Sequence, residues 1–183
     1  YAMPVEIERK FLLTDKPPVV AGVEMVQGYL CKDPDRTIRV RLERGGDGGK
    51  EDRAVLSVKG KPVGLTRPEY EYSIPIDEAQ ELMELCIGSL VEKTRYRHHV
   101  GKHVWEVDVF HGENEGLVVA EIELSAEAES YDKPDWIGAE VSSDLRYANS
   151  NFLKSARSTS TLLPFTEAAR MPLASGLVVL VRS

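Results

Sequence analysis

Five short stretches of this 183-residue chain carry charges of one sign two residues apart: Glu6 and Glu8, Arg39 and Arg41, Glu69 and Glu71, Arg95 and Arg97, Glu121 and Glu123. Beside them lie apolar residues, Val5 and Ile7, then Ile38, Val40 and Leu42, Tyr70 and Tyr72, and Ile122 and Leu124. Alternation of this kind is the signature of a β-strand, in which residues i and i+2 share a face about 7 Å apart. One such pair alone reads as solvated surface. Five pairs, sorted by sign onto separate strands, do not, because a water-facing sheet favours mixed charges and is destabilised by like charges set opposite one another. Acidic and basic strands make better sense facing one another across an enclosed gap. The acids would then hold divalent cations and the bases a polyanion.

The remaining pattern supplies enough strands to enclose such a gap. Period-two runs separated by turn residues predict strands near 4–13, 25–31, 36–44, 53–60, 67–74, 91–100, 103–110 and 117–124. Eight strands are what closes a narrow barrel. The expected fold is therefore α+β, dominated by an eight-stranded antiparallel β-barrel, a tunnel with a charged lumen, an apolar outside and a few covering helices. One helix is expected from a capping box at Asp77-x-x-Gln80, with Ala79, Leu82, Met83 and Cys86 on its inner face and Gly88 as its stop. A second starts at Ser142 or Ser143 and carries Leu145, Ala148, Phe152 and Ala156. Between them 125–141 reads as a connector with a short helix and one small strand at 136–141. Residues 3–156 form one tunnel domain on this reading, and 157–183 a C-terminal tail that shares no period with the rest. Gly45 to Gly49 reads as a mobile loop, without the Lys-Ser/Thr and helix of a phosphate-binding P-loop.

Composition narrows the function. Hydrophobic residues make up 42% of the chain, enough for a real core, and a net charge of −7 argues against binding a nucleic-acid duplex or an anionic membrane. No run approaches the roughly 18 apolar residues of a membrane span, and the N-terminus lacks a signal peptide's build. Cys31 and Cys86, outside any CxxC spacing, read as two buried thiols in a reducing cytoplasm. His99 and His103 straddle the Gly101-Lys102 turn, so their spacing is not that of a helical zinc site. His98 and His111 read as surface or rim residues, and Trp105 and Trp136 as core.

In order along the chain, Glu6-Ile7-Glu8-Arg9-Lys10 followed by Phe11-Leu12, Gln27-Gly28-Tyr29-Leu30, Thr37-Ile38-Arg39-Val40-Arg41, Ser57-Val58-Lys59-Gly60, Glu69-Tyr70-Glu71, Lys93-x-Arg95-x-Arg97, Trp105-Glu106-Val107-Asp108-x-Phe110 and Glu121-Ile122-Glu123-Leu124 resemble the strands of the CYTH superfamily, the triphosphate tunnel metalloenzymes. The first of these is the family's ExExK signature, and the small bacterial inorganic triphosphatases are the nearest in kind. The resemblance implies a tunnel that binds a triphosphate with Mg²⁺ or Mn²⁺. By motif, Glu6, Glu8, Asp108, Glu121 and Glu123 would be metal ligands. Lys10, Arg39, Arg41, Lys59, Arg95 and Arg97 would grip phosphate oxygens, with Lys10 and Glu123 catalytic. Lys93, Glu69 and Glu71 are less secure, the glutamates serving a second metal or orienting a basic side chain.

The chemistry suits the residue types. Carboxylates bind hard cations, the Arg fork matches phosphate oxygens, and phosphoryl transfer asks chiefly for positioning and charge neutralisation. The leading expectation is a cytoplasmic, metal-dependent hydrolase that removes the terminal phosphate of a small triphosphate, inorganic tripolyphosphate first, with a homodimer left open. Two alternatives stand beside it: a class IV adenylate cyclase making cyclic AMP and pyrophosphate from ATP, and a polyphosphate- or nucleotide-binding module without activity. The four metal-site glutamates weigh against the last, since a pure anion binder gains nothing from them.

Overall fold

The computed structural model describes residues 5–45 and 51–147. Nine strands form one antiparallel sheet: β1 (Val5–Leu13), β2 (Gly22–Asp33), β3 (Arg36–Arg44), β4 (Arg53–Lys59), β5 (Thr66–Ile74), β6 (Val91–Val100), β7 (His103–Phe110), β8 (Val118–Glu123) and β9 (Ile137–Glu140). Their order is β5-β4-β3-β2-β6-β7-β8-β1-β9, and β5 also pairs with β1, so eight strands close into a ring. Closure removes the free sheet edges. β8 runs along one edge of β1, with Glu8 opposite Glu123 and Lys10 opposite Glu121. The other edge is divided: β5 takes Val5 to Ile7, and β9 takes Phe11 to Leu13.

Because the ring is closed, alternation sends each strand's two residue sets to two different worlds. Outside β3 and β4, Val40, Leu42 and Ala54 pack with Ala79 of helix α1 (Ile76–Glu84), joined by Leu82, Met83 and Cys86. On the far side Phe11, Trp105, Val107, Ala120 and Ile122 form the largest core cluster, against Tyr131 and Trp136 of the 125–141 connector. Trp105 meets Phe11 edge-on at 5.3 Å, and its indole N–H donates to the Asp132 carbonyl at 3.2 Å. Trp105 is fully buried, as expected of a core residue. Among the described residues no helix is long and apolar enough to cross a membrane.

The expected strands are all present, three with the expected ends and the others with ends moved by at most three residues; the small strand expected at 136–141 is β9. Five local expectations are corrected. Helix α1 has no capping box: Pro75 stands at the N-cap and accepts the Ala79 N–H at 3.0 Å, while Asp77 and Glu78 lie in the first turn. Proline ends β5, and its fixed φ suits a helix beginning at the next residue, so the start precedes Asp77. The helix ends at Glu84, short of Gly88, which takes its left-handed φ of 74° beyond it. The connector contains no helix among its residues. His98 is buried rather than on the rim, 5% exposed, because it falls on the outward face of β6 where Trp136 lies over it at 5.2 Å. Cys31 and Cys86 are free and only partly buried.

Of the second expected helix, a 3₁₀ turn at Leu145–Tyr147 is described. Ala148, Phe152, Ala156, the tail 157–183 and most of the Gly45–Gly49 loop lie outside the described residues.

Candidate active site

The inward faces of the ring carry the like-signed pairs. Glu6, Glu8 and Lys10 of β1 stand beside Arg39 and Arg41 of β3, Lys59 of β4, and Glu69 and Glu71 of β5. Lys93, Arg95 and Arg97 of β6, Asp108 of β7, and Glu121 and Glu123 of β8 complete the set. Cross-strand register fixes this, since residues directly opposite share a face: Lys59 faces Glu69, Arg95 faces Asp108, and Lys10 faces Glu121. The opposed pairs of opposite sign carry their own attraction. The opposed pair Glu8 and Glu123 does not.

Acids and bases interlock across the lumen. Lys59 Nζ donates to both Glu6 carboxylate oxygens at 2.6 Å and lies 3.2 Å from Glu69. Lys10 Nζ bridges Glu8 and Glu121. Arg95 donates to Asp108 through Nε and Nη2, each at 2.6 Å, reaches Glu121 at 2.9 Å, and also pairs with Glu106. Lys93, fully buried, lies 2.5 Å from Asp108. Arg97 is nearer the rim and pairs with Glu106 at 2.9 Å. Glu71 accepts from Ser57 at 2.9 Å and sits 3.8 Å from Arg39 and 3.6 Å from Arg41, so it orients the two arginines.

These partners set the charges. Against the pull of burial, Glu121 and Glu8 hold Lys10 well above the usual lysine range, so it stays an ammonium. Burial, helped by Arg95, pushes Lys93 down to about 8. Lys10 and Arg95 overcome burial to keep Glu121 ionised, and Arg95 and Lys93 do the same for Asp108. Burial raises Glu123, and Glu6, Glu8 and Glu106 raise it further; burial and Glu121 raise Glu8 despite Lys10. Burial and the neighbouring Arg39 lower Arg41. The lumen thus has a corner where carboxylates crowd, around Glu8 and Glu123, and another where guanidinium groups crowd, around Arg39 and Arg41, which Glu71 and Glu43, the latter 2.9 Å from Arg41, offset.

Between them opens a cavity of about 290 Å³, lined by Glu6, Glu8, Lys10, Arg39 and Lys59 and also by Tyr29, Thr37, Arg67 and the Ser142-Ser143-Asp144 stretch. Further inward, Val91, Phe110 and Val119 follow at the next lumen-facing positions and pack with Leu117 and Tyr147. Sequence reasoning missed Arg67, Glu106 and the Ser142 stretch. The first two had a signal: Arg67 is two residues before Glu69, and Glu106 two before Asp108, on the same faces. Ser142 had none. It reaches the site because its Oγ accepts the Lys10 N–H at 3.0 Å, a bond made by tertiary folding.

Among the described residues no group of three His, Cys, Asp or Glu side chains is drawn together as a metal would need. The donor types still fit a hard cation. Glu8, partly buried, and Glu123, more open to solvent, are carboxylates set directly opposite one another, a repulsion that a divalent ion relieves. Asp108 and Glu121 fit less well, since Lys93, Lys10 and Arg95 already neutralise them. His99 and His103 take no part.

A CYTH domain family model matches residues 4–158. An inorganic triphosphatase of Acetivibrio thermocellus is 47% identical over 152 residues, which is 81% of this chain and 93% of that protein. An inorganic triphosphatase of Nitrosomonas europaea is 37% identical over 148 residues, 79% of this chain and 93% of the relative. A crystal structure of an inorganic triphosphatase superposes with a TM-score of 0.56 at 31% identity, covering 81% of this chain and 93% of its own. A conserved hypothetical protein from Pyrococcus furiosus, 19% identical, shares the fold with a TM-score of 0.51 over 67% of this chain and 80% of its own.

Proposed function

This chain belongs to the CYTH family, and we propose that it is a metal-dependent triphosphatase that hydrolyses the terminal phosphate of a small triphosphate, inorganic tripolyphosphate first among them. The observation that carries this reading is one cavity in which Lys10, Arg39, Lys59 and Arg67 meet Glu6 and Glu8. A cavity lined by both signs suits a polyanion that arrives with a divalent cation, and suits a simple anion binder poorly.

Each residue has a part that its surroundings support. Arg39 and Arg41 present planar forks to phosphate oxygens, and the repulsion between them is relieved when an anion settles there. Lys10, ionised at any working pH, places a point charge where the leaving phosphate gathers negative charge. Glu6, Glu8 and Glu123 would hold Mg²⁺ or Mn²⁺, with Glu121 and Asp108 keeping Lys10, Lys93 and Arg95 in position. A divalent cation bound there neutralises phosphate oxygens and supplies an activated water. As a ligand of that cation, Glu123 would also accept a hydrogen bond from the attacking water and so orient it. Lys59 and Arg97 grip the chain from opposite walls. Residues 3–156 are taken as the catalytic unit, and the free thiols fit a cytoplasmic setting.

The test is a panel of tripolyphosphate, ATP, thiamine triphosphate and pyrophosphate with Mg²⁺ and Mn²⁺, reading orthophosphate and cyclic nucleotide together. Orthophosphate release, greatest from tripolyphosphate and abolished by chelation, is expected. Cyclic AMP with pyrophosphate, or binding without turnover, overturns the reading. Glu123→Gln should cost roughly 100-fold or more in turnover. The metal-free variant should melt no lower than wild type, because the substitution removes one of two opposed carboxylates.

A further inference from the structure

Gln27 is a buried amide with no assigned work. It lies on β2 within Gln27-Gly28-Tyr29, a run whose other two residues are accounted for. A Cβ on Gly28 would stand 2.4 Å from Cys86 Sγ, so glycine is what lets α1 close on the sheet. Tyr29 lines the cavity. Gln27 sits between Arg41 on β3 and Val91 on β6 in register, and so faces the lumen with them. It is fully buried, and neither its amide oxygen nor its amide nitrogen has a hydrogen-bond partner. A buried amide left unpaired is destabilising, because its groups give up their bonds to water and gain none in return. Nothing in the packing requires that cost, since an apolar side chain of the same shape would fill the place.

The position explains the cost. Along β2 Gln27 is one lumen-facing step beyond Tyr29, and along β3 Arg41 is one step beyond Arg39, so Gln27 and Arg41 form the row behind the open cavity. Glu71, held by Ser57, lies 3.8 and 3.6 Å from Arg39 and Arg41, and Glu43 pairs with Arg41 at 2.9 Å; the Glu71 side chain is 37% exposed, so water can take up its carboxylate when an anion displaces it. Its carboxylate marks where anionic oxygens settle between the two guanidinium groups. We infer that Gln27 and Arg41 form an inner phosphate seat, in which the Gln27 amide N–H donates to an oxygen of the triphosphate that displaces Glu71.

This inference rests on the triphosphatase reading and deepens it by naming a substrate-contacting residue. The test compares wild type with Gln27→Met, which keeps the shape and removes the amide, and Gln27→Glu, which keeps the shape and adds negative charge. Three quantities are read: the melting temperature of the free protein, the KM for tripolyphosphate with Mg²⁺, and the Kd of a non-hydrolysable methylene-bridged tripolyphosphate analogue with Mg²⁺. Q27M should melt at or above the wild-type temperature, since an unpaired polar group is gone, while KM and Kd rise roughly tenfold or more. Q27E should bind more weakly still, through repulsion. Unchanged KM and Kd in Q27M overturn the inference. So does a Q27M protein that melts lower or fails to fold, for that marks the amide as structural. If wild type itself binds neither tripolyphosphate nor the analogue, the triphosphatase reading falls too, whereas wild-type binding with an indifferent Q27M sinks the inner seat alone.

Discussion

At the scale of single residues, this protein keeps charge where burial makes charge expensive. Lys93 and Asp108 are fully buried, and Arg41, Arg95 and Glu121 nearly so. Replacing such ion pairs by well-packed apolar groups is often neutral or stabilising, so their presence reflects what the lumen does more than what the fold needs. His98 is the opposite case, a titratable group placed in the outer apolar layer. Its Nε2 has no partner, Trp136 covers it, and burial pushes its pKa down. The sign follows directly. Above the unfolded pKa, about 6.5, the ring is neutral in both states and costs nothing. As pH falls below that value the unfolded chain binds a proton that the folded protein refuses, so stability is lost until the lower folded pKa is reached. His98→Phe should therefore lose less melting temperature than wild type between pH 8 and pH 5. Parallel melting curves would show that His98 does not contribute.

At the scale of elements, helix α1 and the 125–141 connector do on the outside what the ion pairs do within: each hides a face of the ring. α1 is short, and an isolated helix of its length would be marginal. It holds because Ala79, Leu82 and Met83 meet Val40, Leu42 and Ala54, and because the backbone of β2 comes close at Gly28. Gly28→Ala sets a Cβ 2.4 Å from Cys86 Sγ and 2.7 Å from Leu90 Cδ2. Overpacking of this sort costs about 1–3 kcal/mol. G28A should lower the unfolding free energy by that amount in urea, and Cys86→Ala in the same chain should restore part of it. A double variant no more stable than G28A would mean that the strain lies elsewhere.

At the scale of the whole molecule, closure is uneven. β3 and β4 pair along their full length, from Thr37 opposite Lys59 to Glu43 opposite Arg53. The seam that completes the ring joins only Val5, Glu6 and Ile7 to Pro68, Arg67 and Thr66, and Pro68 brings no N–H. Glu6 and Arg67 both line the cavity there, and Lys59 ties the seam through Glu6. The backbone around 5–7 and 66–67 should exchange its amide hydrogens faster than the β3–β4 ladder in the free protein. Mg²⁺ with the non-hydrolysable analogue should slow that exchange, since the ligand links both sides of the seam. Equal exchange at seam and ladder, or no change on binding, would contradict this view of closure.

Much of this was legible along the chain, and the reason is the period of two. Alternation within a closed ring has a single solution, one face in and one face out, so Glu6-Ile7-Glu8 or Arg39-Val40-Arg41 tells by itself which side chains share the lumen. The same rule would have added Arg67 and Glu106, had every charge two residues from a named one been followed. Period two says nothing about what lies outside a strand. Pro75 rather than Asp77 opens α1 because the turn out of β5 decides it, and His98 is buried because a distant connector folds over its face. Local sequence thus determined the strands, their inward charges and the polyanion chemistry they suit. Only tertiary structure decided who pairs with whom inside, that Ser142 reaches Lys10, and that Gln27 is shut in unpartnered beside Arg41. Such pairings depend on which strands close the ring and in what register, and those are set by packing between residues far apart in the chain.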